Sequence, residues 1–251
     1  MLSKRIIACL DVRDGSVVKG INFEDLRRAG DPSALARRYN HEGIDEVVIL
    51  DVTATIEKRK ALADTIAAVA HEIFLPLCVG GGIRDEAHAE AAIEAGADKV
   101  SLNTAAIAHP ALLSTLAKRY GSQAVIVAID AKRQNDRFQI YVRSGQQPTE
   151  RDAVEWAREA EDRGAGEILL TSIDRDGTKR GFDLPLTSAV SNAVAIPVIA
   201  SGGAGTFDHF VDVFTAGLAD AALAASIFHY TEHAVSDLKQ HLREHGIPVR
   251  L

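Results

Sequence analysis

The chain has 251 residues, 47% apolar and 25% charged, with a formal net charge of −7. That composition supplies a sizeable core and excludes a disordered chain. An acidic balance without a long basic run excludes nucleic acid and an anionic membrane surface as main partners.

In chain order, short β-rich runs alternate with longer helix-periodic stretches. A first strand is expected over Arg5–Asp11, too short an apolar run for a signal peptide. Asp14-Gly15-Ser16 then reads as a turn, Val17–Gly20 as extended, and the stretch through Arg28 as a polar loop. A helix over Ser33–Glu42 follows Asp31-Pro32, then a strand over Glu46–Asp51 and a helix over Lys60–Glu72. Next come a strand over Leu75–Val79, a helix over Asp85–Ala95, a strand over Lys99–Asn103 and a helix over Pro110–Arg119. The fifth strand, Ala124–Asp130, leads into a hairpin of Lys132–Asp136 and Phe138–Val142, and a helix over Asp152–Arg163. Strands over Glu167–Ser172, Pro197–Ala200 and Ala221–Ala224 alternate with helices over Leu184–Asn192, Asp208–Ala216 and Glu232–Glu244. Glycines 96, 164 and 217 stand where helices stop.

Eight strand–helix pairs in a chain of this size predict a single α/β domain, a (β/α)8 TIM barrel; an open doubly wound sheet is the alternative. A repeat favours closure. Glu46 to Glu167, Pro76 to Pro197 and Gly82 to Gly203 are each separated by 121 residues, so the domain reads as two half-barrels, about 1–121 and 122–251. The two insertions, after the first and fifth strands, fall on the C-terminal, catalytic face and read as lids. Cys9 and Cys78 lie in apolar strands and read as reduced thiols in a cytoplasmic protein, not as a disulfide or metal site. No stretch reaches membrane-spanning length.

Gly80-Gly81-Gly82 closes the third strand and Asn103-Thr104 the fourth; Ser201-Gly202-Gly203 closes the seventh and Ala225-Ser226 the eighth. Such glycines let backbone N–H groups approach a ligand, and the next helix start adds its positive end. One cluster alone is as well read as a tight turn. Two equivalent clusters on opposite sides of the ring predict a long substrate with a phosphate at each end.

Asp11 and Asp130 end the first and fifth strands, diametrically opposed. The middle of such a substrate would pass between them, which suits general acid and general base catalysis. Helix capping is the bland reading of either alone. Asp51, Asp174, Asp176 and Lys19 belong to the same face as ligand-hydroxyl or supporting contacts. Trp156 reads either as a cover for the mouth or as packing, and the histidines as surface or packing residues. Nucleotide-binding glycine motifs, the Walker loop, His-Glu-x-x-His and a nucleophile elbow are absent from the sequence, so no cofactor or metal is expected.

Alternation along strands places Arg5, Glu46, Lys99 and Glu167 on the inner face at the opposite end of the barrel. Two readings stand: a solvated charged plug, or a gate to a passage lined by Cys9, Val48, Cys78, Ser101 and Thr171.

Arg5-Ile6-Ile7-Ala8-Cys9-Leu10-Asp11-Val12, Val79-Gly80-Gly81-Gly82-Ile83, Asp98–Ala106, Ile129-Asp130-Ala131-Lys132-Arg133, Gly164–Gly177 and Ile199–Gly205 resemble the cyclase subunit of imidazole glycerol phosphate synthase, across essentially the whole chain. The resemblance implies a lyase of histidine biosynthesis, acting on a bis-phosphorylated ribulosyl-formimino aminoimidazole carboxamide nucleotide and ammonia. Imidazole glycerol phosphate and aminoimidazole carboxamide ribonucleotide are its products. It implies Asp130 as base and Asp11 as acid. Lys19, Gly81, Gly82, Asn103, Thr104, Asp176, Gly177, Gly202, Gly203, Ala225 and Ser226 would contact substrate, supported by Asp51, Ser101, Thr171 and Ser201. Arg5, Glu46, Lys99 and Glu167 would gate ammonia from a glutamine amidotransferase subunit docked on the N-terminal face. Cys78, Thr149-Glu150-Arg151, Phe182 and the extra Leu218 depart from the family pattern. The preceding isomerase of the pathway and a non-catalytic phosphate-binding barrel are the rival readings; the floor charges and the retained aspartates argue against them.

Overall fold

The computed structural model describes residues 2–21, 24–52, 59–229 and 234–251. The alternating pattern folds as an ordered ring. Strands β1 (Arg5–Arg13), β4 (Glu46–Asp51), β5 (Leu77–Gly80), β6 (Lys99–Leu102), β7 (Val125–Gln134), β10 (Glu167–Ser172), β11 (Val198–Ser201) and β12 (Ala221–Ala224) pair in parallel. β12 pairs back onto β1, with Arg5 beside Ala221 and Ala8 beside Ala224, so the barrel closes. Helices α1 (Pro32–His41), α2 (Arg59–Glu72), α3 (Glu86–Glu94), α5 (Ala111–Tyr120), α6 (Ala153–Asp162), α7 (Leu184–Ser191), α8 (Phe207–Thr215) and α10 (Val235–Glu244) cover its outside.

Because each strand is walled on both faces, its sequence is apolar nearly throughout: Ile6 to Val12 are all buried. Alternate residues feed two separate cores. Ile6, Ala8 and Leu10 join the outer core between strands and helices. Ile7, Cys9, Val48, Cys78, Ile126 and Leu169 belong to a distinct cluster inside the barrel. Both cysteines are buried, and neither is in a disulfide.

The internal repeat is also a repeat of hydrogen bonds. The Asp98 carboxylate accepts from Leu77 N at 2.9 Å, and Asp220 from Val198 N at 3.1 Å, pinning the starts of β5 and β11. Gly81 (φ +80°) and Gly202 (φ +91°) occupy the left-handed region, and a Cβ there would lie 2.2 Å from Asp51 O and 2.9 Å from Ser172 O. These pairs also stand 121 residues apart, so both turns press glycine backbone onto the neighbouring strand end. Leu218, at φ +60°, absorbs the one extra residue of the second half before Asp220.

Several elements differ from the sequence expectation. The polar stretch through Arg28 is strand β3 (Glu24–Gly30), antiparallel to β2 (Ser16–Ile21). The second insertion has three strands: β7 runs on to Gln134, followed by β8 (Arg137–Val142) and β9 (Gln147–Asp152). β9 is polar and largely exposed, so it carries no apolar alternation to announce it. Short helices α4 (Thr104–Ala108) and α9 (Ser226–His229) directly follow β6 and β12, too brief to show a helical period. β5 and β11 begin after Pro76 and Pro197, which lack the N–H a ladder needs, although their carbonyls accept from Val47 and Ile168. Asp152 is the cap of α6, its carboxylate accepting from Val154 N and Glu155 N. Residues 232–233 of the last expected helix lie outside the described residues. Among the described residues no helix is long and apolar enough to cross a membrane.

Candidate active site

The C-terminal strand ends form the mouth. Asp11 on β1 and Asp130 on β7 stand four strands apart whichever way the ring is followed. Strand register gives each a distinct row of neighbours. Asp11 aligns with Leu50, Gly80 and Ser101 across β4, β5 and β6. Asp130 aligns with Thr171 and Ser201 across β10 and β11.

Asp11 is 8% exposed, and the Cys9 thiol lies 3.3 Å from its Oδ1. Asp130 accepts a 2.9 Å hydrogen bond from the Asn103 amide. Burial is the main influence on its carboxyl; the Asp176 carboxylate adds to it and the Asn103 bond opposes it. Together they raise its pKa to about 7. A carboxyl poised there holds and releases a proton near neutral pH. Asp130 is also the attachment point of the second insertion, paired with Tyr141 of β8.

The glycine segments bracket this pair. Gly80 ends β5 and Gly81 and Gly82 follow it, with Thr104 opening α4; Ser201 ends β11 and Gly202 and Gly203 follow it, with Ser226 opening α9. The loop after β10 packs against the second segment: a Gly203 Cβ would lie 2.2 Å from Gly181 O, and Gly202 faces the Asp176 backbone. Gly177 belongs to this loop, with φ +72°. Asn103 and Thr104 have roles the sequence does not disclose. Asn103 spends its amide on Asp130, leaving its buried Oδ1 without a hydrogen-bond partner. The Thr104 hydroxyl accepts from Arg143 N in the β8–β9 turn, tying that insertion to the mouth. Asp174 accepts from Arg133 N at 2.8 Å, a second tie across the same insertion. Ser101 is buried and its hydroxyl is without a partner, whereas Asp51 and Ser201 are half-buried. Ala225 belongs to the inner cluster. Lys19 is on β2 opposite Arg27; its side chain lies outside the described residues. Trp156 is 1% exposed in the outer core with Arg151 stacked 4.7 Å from its ring, a packing position.

At the opposite end, Arg5, Glu46, Lys99 and Glu167 close into one ring. Arg5 Nη1 lies 2.8 Å from Glu46 and 3.1 Å from Glu167; Lys99 Nζ lies 3.0 Å from Glu46 and 3.3 Å from Glu167. Burial raises the Glu46 pKa while Lys99 and Arg5 oppose it. Burial works against the Arg5 charge too, but the Glu167 and Glu46 carboxylates outweigh it and raise its pKa. The Cys78 thiol above is pushed well up by burial, then by Glu46. Between floor and mouth stands the inner cluster, with Ile7 and Cys9 between Arg5 and Asp11 on β1.

A closed barrel with two matched glycine segments and an opposed carboxyl pair belongs to the class of α/β-barrel enzymes whose chemistry sits at the strand C-termini. The model for "Histidine biosynthesis protein" matches residues 5–234. Imidazole glycerol phosphate synthase subunit HisF of Pyrococcus furiosus is 57% identical over 251 residues, all of both chains. The subunits of the same name from Chlorobium phaeovibrioides and Chlorobium luteolum are each 56% identical over the same full lengths. The chain belongs to the HisF family, the cyclase subunits of imidazole glycerol phosphate synthase in histidine biosynthesis.

Proposed function

We propose that the chain adds ammonia to a bis-phosphorylated ribulosyl-formimino aminoimidazole carboxamide nucleotide, closes the imidazole ring and releases imidazole glycerol phosphate and aminoimidazole carboxamide ribonucleotide. The phosphates rest on the Gly81–Gly82 and Gly202–Gly203 segments, each with its hydroxyl partner, Thr104 or Ser226. The scissile centre then lies between Asp11 and Asp130. Asp130 removes protons during cleavage and ring closure; Asp11 delivers one from the opposite side. The carrying observation is the Asp130 carboxyl, held near a pKa of about 7 opposite a second aspartate.

Ammonia enters through the floor ring and crosses the inner cluster. Water at neutral pH holds ammonia mainly as the unreactive ammonium ion, and a dry apolar path delivers the free base. A glutaminase subunit docks on the N-terminal face. Four exposed large apolar residues support that docking: Leu2, Phe74, Leu218 and Leu251. Leu2, Phe74 and Leu218 precede strand starts, and Leu251 follows the Lys4–Val249 bridge, so all four lie at the ring's end of the barrel.

The test is steady-state turnover of the bis-phosphate with saturating ammonium salt above pH 8, without a partner. Ring-closed product from the parent and large losses in Asp11→Asn and Asp130→Asn are expected. Tight binding without product would overturn the reading.

A further inference from the structure

The first turn of α8 meets the last turn and C-cap of α10 at Asp208, His241 and His245. One ligand atom from each of the three lies within 4.8 Å of the others. His241 in the last turn of α10 and His245 at its C-cap are four residues apart, with His245 N bonded back to the His241 carbonyl, which brings the two rings together. Their rings lie 4.3 Å apart, and His241 also packs on Phe207, which fixes its plane. His241 Nε2 is 2.9 Å from Asp208 Oδ1. His245 Nδ1 is 2.9 Å from the His241 carbonyl, which only accepts, so neutral His245 carries its proton on Nδ1 and its lone pair on Nε2. Asp208 and His245 are exposed, so an ion reaches them from solvent.

We propose that Asp208, His241 and His245 form a binding site for a borderline divalent transition-metal ion of the Zn²⁺ or Ni²⁺ type, which clips α8 to α10. Two imidazoles and one carboxylate favour such ions over Mg²⁺ or Ca²⁺, which take oxygen ligands. Tetrahedral zinc with bonds of about 2.1 Å spaces its ligand atoms about 3.4 Å apart, within the span these side chains already hold. Water completes the coordination. The alternative is a surface Asp208–His241 contact with a tilted His245 ring beside it and no ion.

The test uses the full chain without an affinity tag, stripped by chelator and dialysed against Zn²⁺. One ion per chain and a raised unfolding temperature are expected. Asp208→Asn and His245→Gln, both at exposed positions, should each weaken Zn²⁺ binding about tenfold or more and remove the thermal shift. Both should keep the parent's circular dichroism and ammonium-driven turnover. A Co²⁺ spectrum without a thiolate charge-transfer band would set this site apart from Cys9 and Cys78. Failure of the folded chain to retain Zn²⁺ would overturn the proposal, as would undiminished retention in both variants or a thiolate band.

Discussion

The halves of this barrel share a backbone plan and divide the chemistry unequally. At the floor the first half supplies both cations, Arg5 and Lys99; the equivalent places in the second half are Ala124 and Ala221. At the mouth the assignment reverses. Asp11 is followed round the ring by Leu50 and Gly80, Asp130 by Thr171 and Ser201. Glu46 and Glu167 alone repeat at the floor. A repeated scaffold thus places two similar carboxyls in dissimilar surroundings, which is what the proposed division into one acid and one base requires.

The largest test of that difference is catalytic. Asp130→Asn and Asp11→Asn should each lower kcat by about 10²–10⁴-fold, the usual worth of a general acid or base. Turnover against pH should separate them: with the proposed roles, the parent's acid limb follows Asp130 and is expected near pH 7. A limb unchanged in Asp130→Asn would break the assignment.

The floor gives the next effect. Lys99→Met leaves Glu46, 1% exposed, with one cation fewer, and should cost about 3 kcal/mol by urea unfolding. Ala221→Gly, at the matching place of the second half, removes no charge and should cost far less. Equal losses would mean the ring is not where the halves differ.

A third effect concerns pH and stability. The folded Asp130 pKa lies above its unfolded value, so the stability it contributes is full below about pH 4. That contribution is lost as pH rises through about 7. Asp130→Asn removes the loss, so its stability relative to the parent should grow between pH 4 and 8. The gain is on the order of 2 kcal/mol, discounted for partial exposure, and paired denaturation curves at both pH values read it. A constant difference would place the perturbed carboxyl elsewhere.

The smallest contrast compares the matched glycines. Gly81→Ala and Gly202→Ala both force a Cβ into the left-handed region, at about 1–3 kcal/mol each. Gly81→Ala should cost more, since its Cβ falls 2.2 Å from Asp51 O against 2.9 Å from Ser172 O for Gly202. Thermal unfolding ranks them; the reverse order would show that the two turns relax differently.

Much of this was legible in the residues because barrel strands are buried on both faces. Ile6 to Leu10 and Val125 to Ile129 read as unbroken apolar runs, and each is punctuated by an aspartate where the chain reaches the mouth. Counting by twos from Asp11 reaches Arg5, and the same alternation on the other strands places Glu46, Lys99 and Glu167 inward, since alternation is a local property of a strand. What escaped is non-local or polar on both faces. Nothing near Asn103 announces a bond to Asp130, or near Thr104 one to Arg143; both need the folded ring. Strands β3 and β9 carry few apolar residues and are held by backbone pairing to their hairpin neighbours, so they resemble loops.

The separation of the two cores has a consequence for how substitutions combine. The barrel wall is one strand thick, and its alternate residues belong to clusters that do not merge. A cavity opened at Val48, facing the axis, and one opened at Val47, facing the helices, should add independently although the residues are adjacent in sequence. Cavities at Val48 and Leu169, far apart in sequence but both facing the axis, should couple by roughly 0.5 kcal/mol or more. In this molecule, energetic neighbourhood follows the side of the wall and not the order of the chain.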